Sequence, residues 1–379
     1  MDDKGKYYLD NAATMRLSED FKIDILKYLW MDYNPSAIYQ DGKNVRNLIE
    51  TVRDACATFI VGKKENIYFT SSGSASNTLA IKGYVAKNDC TVFYLPTMHK
   101  SALLAVKASC ENPIKIPISD TGLINLNRLD ELLSCSSKKP FVVIEYANSE
   151  IGTIQNVVRI TDVVHRYGGV VYVDMTAAIS TIFCDVDYLN VDMAGFSGHK
   201  IGSLKGIAVL YKKPEIQLEP LVYGSQERGL IGGTENTLGI YSLYYAIKTY
   251  YDNHIYSSIS SYNCKYILNY LNNYVSDIFL LGEPIGKNRL AHNLFLLIKG
   301  VDGEQLLTLL DEYNIQVSTG SACNSGSKQP SNTLLELGIP EEYLHSCIRL
   351  TFDGNETDDD LDYIGKTLVT SINKLRMFI

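Results

Sequence analysis

The sequence predicts an α/β protein: a large domain built on a mainly parallel sheet, followed by a smaller α+β domain. Three observations carry that prediction. Between about residues 60 and 215, short apolar β-rich runs alternate with stretches of helical periodicity, as in a parallel sheet covered on both faces. After residue 239 the texture changes to a Tyr-rich helical segment, then to mixed strands and helices. The length, 379 residues, also exceeds what one ordinary core organises.

The strands expected in order are 66–70 (NIYFT), 91–95 (TVFYL), 141–146 (FVVIEY), 169–174 (GVVYVD), 192–197 (DMAGFS) and 206–211 (GIAVLY). Between them SASNTLAIKGYVAK (74–87) and RITDVVHRY (159–167) carry helical spacing. The Tyr-rich stretch 240–274 reads as helix, and NLFLLIKG (293–300) and EQLLTLLDEYNIQVS (304–318) as mixed strands and helices. The run 358–378 opens on Asp residues at its positive dipole end and closes on Lys374 and Arg376, as a helix should. The expected division is 15–250 for the large domain, and 1–14 with 251–379 for the small one. In such sheets ligands bind beyond the carboxyl ends of the strands. Thr70, Asn148, Asp174 and Ser197 fall there.

Composition narrows the class. Hydrophobic residues at 46% and charged residues at 21% fit a globular chain and exclude a disordered one. The formal charge of −8, with no basic block, argues against nucleic acid as a direct partner. No apolar run is long enough to span a bilayer, and MDDKGKYYLD lacks the basic and apolar parts of a signal peptide, so the expectation is a cytoplasmic protein without a membrane partner. Eight scattered cysteines without a C-x-x-C pair read as reduced thiols. The six histidines show no metal-ligand clustering.

The strongest local signal is FSGHKIGSLKG (196–206), where Lys200 follows Ser-Gly-His at a strand end between glycines. An amine for Schiff-base chemistry needs such a loop, with Ser197 and His199 available to a phosphate beside it. A surface lysine in a Gly-rich turn is the alternative. TSSGSASNTLAIKG (70–83) offers an anion site at a helix start, or simple Ser/Asn capping. Asp174 closes an apolar strand, where a protonated pyridine nitrogen is one partner and a helix N-cap the bland reading. Asn148 and His99 follow other strands, as ligands or as structural polar groups. From Ser318 to Thr333 the chain reads STGSACNSGSKQPSNT, with Cys323 in a polar stretch that holds nothing bulky to bury. Buried cysteines come in apolar sequence, so this one is expected on a mobile loop as a nucleophile that travels.

In their order along the chain these segments resemble the cysteine desulfurases, pyridoxal-phosphate enzymes of fold type I in the class V aminotransferase group. The likeness runs from YLDNAAT (8–14) through NPSAIYQDG (34–42), TSSGSASNTLAIKG, NSEIG, SGHK, QERGLIGGTEN (226–236) and TGSACNSGS to HSCIRL (345–350). It implies a large domain around a mainly parallel seven-stranded sheet, a homodimer, and pyridoxal 5'-phosphate as cofactor. By this resemblance Lys200 would hold the cofactor as a Schiff base and carry protons, Asp174 would pair with the ring nitrogen, and His99 would stack on the ring and assist proton transfer. Asn148 would touch the ring hydroxyl or the substrate. Gly73, Ser74, Ser197 and His199 would hold the phosphate, with Thr234 from the partner subunit. Arg349, with Asn34 and Asn148, would bind L-cysteine, and Arg349 would clamp its carboxylate. Cys323 would take the sulfur as a persulfide and pass it to an acceptor such as a cluster scaffold or a tRNA-thiolation protein. The long Ser/Gly-rich cysteine loop resembles the group serving iron–sulfur cluster and tRNA-thiolation routes.

The chain also departs from that pattern. Ala177 stands where the family has Gln, Met98 where it has Glu, Tyr39 where it has His, Ile231 where it has Arg, and Asp353 where it has Gly. The missing Gln removes a donor to the ring hydroxyl, which is expected to perturb the cofactor's proton affinity and slow turnover. A selenocysteine or cystine lyase, an aminotransferase on the same scaffold and a weakly active partner-binding homologue are the alternative readings.

Overall fold

The computed structural model describes residues 5–29, 32–252, 256–319 and 330–377. In chain order it runs β1 (Tyr7–Tyr8), α1 (Glu19–Asp24), α2 (Gln40–Phe59), β2 (Ile67–Thr70), α3 (Gly73–Lys87), β3 (Cys90–Tyr94), α4 (Lys100–Ser109), β4 (Ile114–Lys115), α5 (Leu126–Ser134), β5 (Lys139–Glu145) and α6 (Val157–Arg166). It continues with β6 (Val170–Asp174), β7 (Met193–Ser197), β8 (Ala208–Lys212), α7 (Thr237–Asp252), α8 (Tyr256–Tyr274), β9 (Ile278–Leu280), β10 (Asn293–Ile298), α9 (Gly303–Glu312), β11 (Ile315–Gln316), α10 (Asn332–Glu336), β12 (Cys347–Thr351) and α11 (Asp358–Arg376).

Seven strands form one sheet in the order β2-β8-β7-β6-β5-β3-β4. Its pairs are parallel from β7 to β4, and β8 runs antiparallel to both its neighbours. All six strands expected in the first half form. The seventh, β4, has two residues, too few to show a period. The central strands β5 and β6 are buried along almost their whole length, because helices cover both faces. Helix α6 shows how: Asn156 caps its start by accepting from Arg159 N at 3.2 Å, and Val157, Ile160, Val163 and Val164 line one buried stripe.

A second core lies around the antiparallel sheet β12-β10-β9. Helix α11 covers it, started by a Thr357–Asp360 capping box, with Leu361, Ile364, Leu368 and Ile372 facing inward. Leu9 is buried in this same core, and β1 pairs in parallel with β11. That pairing carries residues 10–14 across to the ends of the large sheet. Arg53 on α2 meets Glu227 through two bonds of 2.8 Å, both side chains buried, and Phe69 N donates to the same carboxylate at 2.8 Å. This buried pair fixes the turn that leads to Thr234.

Candidate active site

The carboxyl ends of β2, β5, β6 and β7 border one cavity of about 400 Å³, walled by Gly73, His99, Glu145, Asp174 and Lys200 among others. One end of it suits an anion. Ser72 caps α3, accepting from Ala75 N at 3.1 Å, which places Gly73 and Ser74 in the first helical turn. A Cβ on Gly73 would come within 3.3 Å of Ser197 Cβ and Thr176 Oγ1, so glycine keeps a narrow cradle open there. The N-terminus of the 15-residue helix α3 and the residues Ser74 and Ser197 border it.

Asp174 ends β6 with 6% of its surface exposed. It accepts from Asn77 Nδ2 at 2.8 Å and from Thr176 N at 2.9 Å. Tyr172 donates to the Asn77 oxygen at 2.5 Å, so the amide is locked in one orientation. Asn77 also donates to Ser101 Oγ at 2.9 Å, and Ser101 Oγ lies 2.7 Å from His99 Nδ1. Ser101 N donates to that same nitrogen at 3.2 Å, making His99 the cap of α4. With Nδ1 an acceptor, the neutral ring carries its proton on Nε2. A continuous chain of side chains therefore links Asp174 to His99.

Lys200 sits in the tight turn after β7. A Cβ on Gly198 would approach Leu243 Cδ2 to 2.8 Å and Ser203 Oγ to 2.9 Å, so a larger residue there would have to displace those two side chains. Lys200 Nζ donates to Ala12 O and, at 3.0 Å, to Ala13 O. It faces both the 400 Å³ cavity and an adjoining one of about 590 Å³ that also contains His292 and Asp353. His199 contacts Thr14 Oγ1 at 3.2 Å; burial, then the charges of Lys200 and Lys205, lower its pKa to about 4. It is a neutral ring at neutral pH.

Other expected residues stand differently. Asn148 does not line the cavity, and its amide is saturated. It donates to Thr97 O at 2.9 Å and Glu145 Oε1 at 2.8 Å, and accepts from Glu150 N and Ile151 N. The residue on the cavity wall is instead Glu145. Arg349, 3% exposed on β12, donates to Asp10 Oδ1 at 2.7 Å and to Ser149 O at 2.9 Å. Its Nε has no partner among the described residues. Asn34 and Thr234 are exposed and lie outside the cavity. Cys323 lies outside the described residues. The polar stretch around it is not polar surface at its ends: Ser318, Ser331 and Thr333 are buried, and Ser331 caps α10 and donates to Glu150 at 2.5 Å.

Asn77, Ser101, Glu145, Asp10, Thr176 and Lys205 were not anticipated from sequence. Only Glu145 carried a signal, an acidic residue inside the apolar run FVVIEY. The donor set fits pyridoxal phosphate: an amine for its aldehyde, a carboxylate for its ring nitrogen, and a helix start with hydroxyls for its phosphate.

The sequence pattern of the family described as Aminotransferase class-V matches residues 7–364. Cysteine desulfurase IscS of Methanosarcina thermophila is 31% identical, over 97% of this chain and 92% of that protein. Cysteine desulfurase IscS of Dictyoglomus turgidum is 32% identical, over 98% of this chain and 96% of that protein. The X-ray structure of a NifS-like protein from Rickettsia africae superposes with a TM-score of 0.87 at 28% identity, covering 98% of this chain and 99% of that one.

Proposed function

Because the chain belongs to the class-V aminotransferase family, we propose that it is a pyridoxal-phosphate-dependent cysteine desulfurase. It converts L-cysteine to L-alanine, leaves the sulfur as a persulfide on Cys323 and passes it to an acceptor. The observation that carries this reading is a single cavity facing both Lys200 and Asp174, in a chain similar along nearly its whole length to cysteine desulfurases.

When bound, pyridoxal phosphate supplies an electron sink that weakens bonds at the carbon atoms of the amino acid. The protein residues do the rest. Lys200 Nζ is the amine that would tether the cofactor, and it would carry a proton to or from the substrate. Asp174, oriented by Asn77, holds the ring nitrogen in its protonated form. His99, with its proton on Nε2, offers that proton on the cavity side. Gly73, Ser74, Ser197 and the neutral His199 hold the phosphate, and Thr234 joins them from the partner of a homodimer; its exposure outside this chain's own cavity suits that role. Arg349, whose plane is fixed by its bond to Asp10, would bind the substrate carboxylate. The Cys323 thiolate attacks the substrate sulfur, the carbon–sulfur bond breaks, and its electron pair leaves with the alanine moiety.

We assign residues 15–250 and 1–14 with 251–379 to two domains, supported by the separate cores and by Leu9 in the second. A cytoplasmic setting is part of the same reading, since thiol chemistry needs reducing conditions. No described helix is long and apolar enough to cross a membrane.

The test is product analysis of the protein loaded with pyridoxal phosphate and given L-cysteine. Alanine and transferable sulfur in equal amounts are expected. A 2-oxo acid in place of alanine would show an aminotransferase instead. Ser101→Ala, which removes the link between Asn77 and His99, is expected to cost roughly 1 kcal/mol in the chemical step. That is about a fivefold lower kcat with KM little changed, read in steady-state kinetics on L-cysteine.

A further inference from the structure

Glu145 is a carboxyl group in an unusual place. It ends β5 as the register neighbour of Asp174 on β6, so both side chains leave the same face of the sheet side by side. It is 4% exposed and forms part of the wall of the 400 Å³ cavity. Among the described residues its partners are Asn148 Nδ2, at 2.8 Å, and the backbone N–H of His99. No cation pairs with it there.

The groups facing it are mostly of its own sign or neutral. Asp174 approaches from β6, Glu150 from the loop after β5, His99 from the start of α4, and Lys200 and Lys205 from the loop after β7 across the cavity. Two adjacent buried carboxyls without a cation between them cannot both ionise cheaply. Asp174, like Glu145, receives two N–H donors; what assigns the charge to it is its proposed place opposite the protonated ring nitrogen. Burial raises the Glu145 pKa well above the ordinary carboxyl value; Asp174 and Glu150 add to the rise, and the Asn148 and His99 bonds oppose it. In the acid form the carbonyl oxygen can accept those two donors, which leaves the hydroxyl to donate.

Among the described residues the cavity wall offers no uncommitted side-chain amide, since Asn77 Nδ2 already donates to Ser101 and Asp174. Ala177 lines it without a polar group, and the amide of Asn148 is fully engaged elsewhere. Resting on the reading of the site as one for pyridoxal phosphate, we propose that Glu145 is a neutral, cofactor-contacting acid whose hydroxyl donates to the ring oxygen of the bound cofactor. It takes the place of the side-chain amides that are absent or occupied in this chain. The strand partner Asp174 then carries charge at the ring nitrogen while Glu145 stabilises negative charge on the oxygen. One site thus uses two carboxyls in opposite protonation states.

Two measurements on the full-length protein test this. Infrared difference spectra of wild type minus Glu145→Gln, at neutral pH, are expected to show the C=O stretch of a protonated carboxyl before loading with pyridoxal phosphate. Loading should move that band to lower frequency. A carboxylate signature, or a band unmoved by the cofactor, overturns the proposal. The second is the pH titration of the visible absorbance of the loaded protein. Glu145→Gln keeps a neutral donor, and its midpoint should stay close to wild type. Glu145→Met removes the donor, and its midpoint should rise by roughly one pH unit, about tenfold in proton affinity. A midpoint lowered by Glu145→Gln means that a charge was removed, and the proposal fails. A wild-type protein that takes up no cofactor overturns the underlying reading, whereas a coloured wild type with an ionised Glu145 overturns this proposal alone.

Discussion

Lys200→Ala is expected to abolish the visible absorbance of protein reconstituted with pyridoxal phosphate and to lower alanine release by on the order of 10⁴- to 10⁶-fold. The size follows from the position of the amine. Its turn is held by the close packing of Gly198 against Leu243 and Ser203, and its Nζ is aimed at the cavity by the carbonyls of Ala12 and Ala13. Lys205 also lines the cavity but sits beyond the turn, so it is not a substitute tether. The fold should survive the change, because residues 7–9 stay pinned by the β1–β11 pairing and by Leu9 in the second core. Lys200→Arg is the matching control. It keeps a cation for the two carbonyls but cannot form the covalent tether, and it should be as colourless and inactive as the alanine variant. Absorbance and a thermal melt on both variants check this.

Cys323→Ala is expected to remove sulfur transfer from L-cysteine, with a loss on the order of 10³-fold or more. No other thiol is placed to replace it. Burial pushes the thiols of Cys56, Cys264 and Cys347 up to about 12 and that of Cys90 to about 11, so almost no thiolate forms at neutral pH. Cys184 is raised further by the same cause. Cys135 is exposed and Cys110 partly so, but Cys135 precedes the amino end of β5 and Cys110 follows the far end of α4, whereas the cavity lies at the carboxyl ends of the strands and the start of α4. Cys323→Ser should fail equally, because a hydroxyl does not collect sulfur. Cofactor uptake should remain intact in both variants. Kinetics of alanine and sulfide release, set beside the visible spectrum, separate this from a folding defect.

Much of the site was legible in the sequence because its residues occupy positions that local rules mark. Asp174 and Ser197 end apolar strands, Gly73 and Ser74 open a helix, and Lys200 follows a Ser-Gly-His turn. Asn77 and Ser101 were not legible. Both are ordinary helical residues until the packing of α3 and α4 over β6 brings them between Asp174 and His99. For Asn148 the place after a strand is visible in the sequence, but the saturation of its amide is a tertiary property. Glu145 left a trace in the sequence, since a charged residue in an apolar strand demands an explanation. The stretch 318–333 is polar in sequence, yet polar residues bury readily once bonded, as Ser331 and Thr333 do around Glu150. The strand β4 escaped because two residues carry no pattern.

The transfer of sulfur from L-cysteine to one cysteine of this chain is the claim on which the functional reading rests. Peptide mass analysis after a single turnover with L-cysteine, in the absence of an acceptor thiol, tests it most directly. One extra sulfur atom on the peptide containing Cys323 is expected, with an equal amount of alanine, and neither in Lys200→Ala. Alanine and sulfide formed with no sulfur on Cys323, or at an unchanged rate in Cys323→Ala, would contradict it.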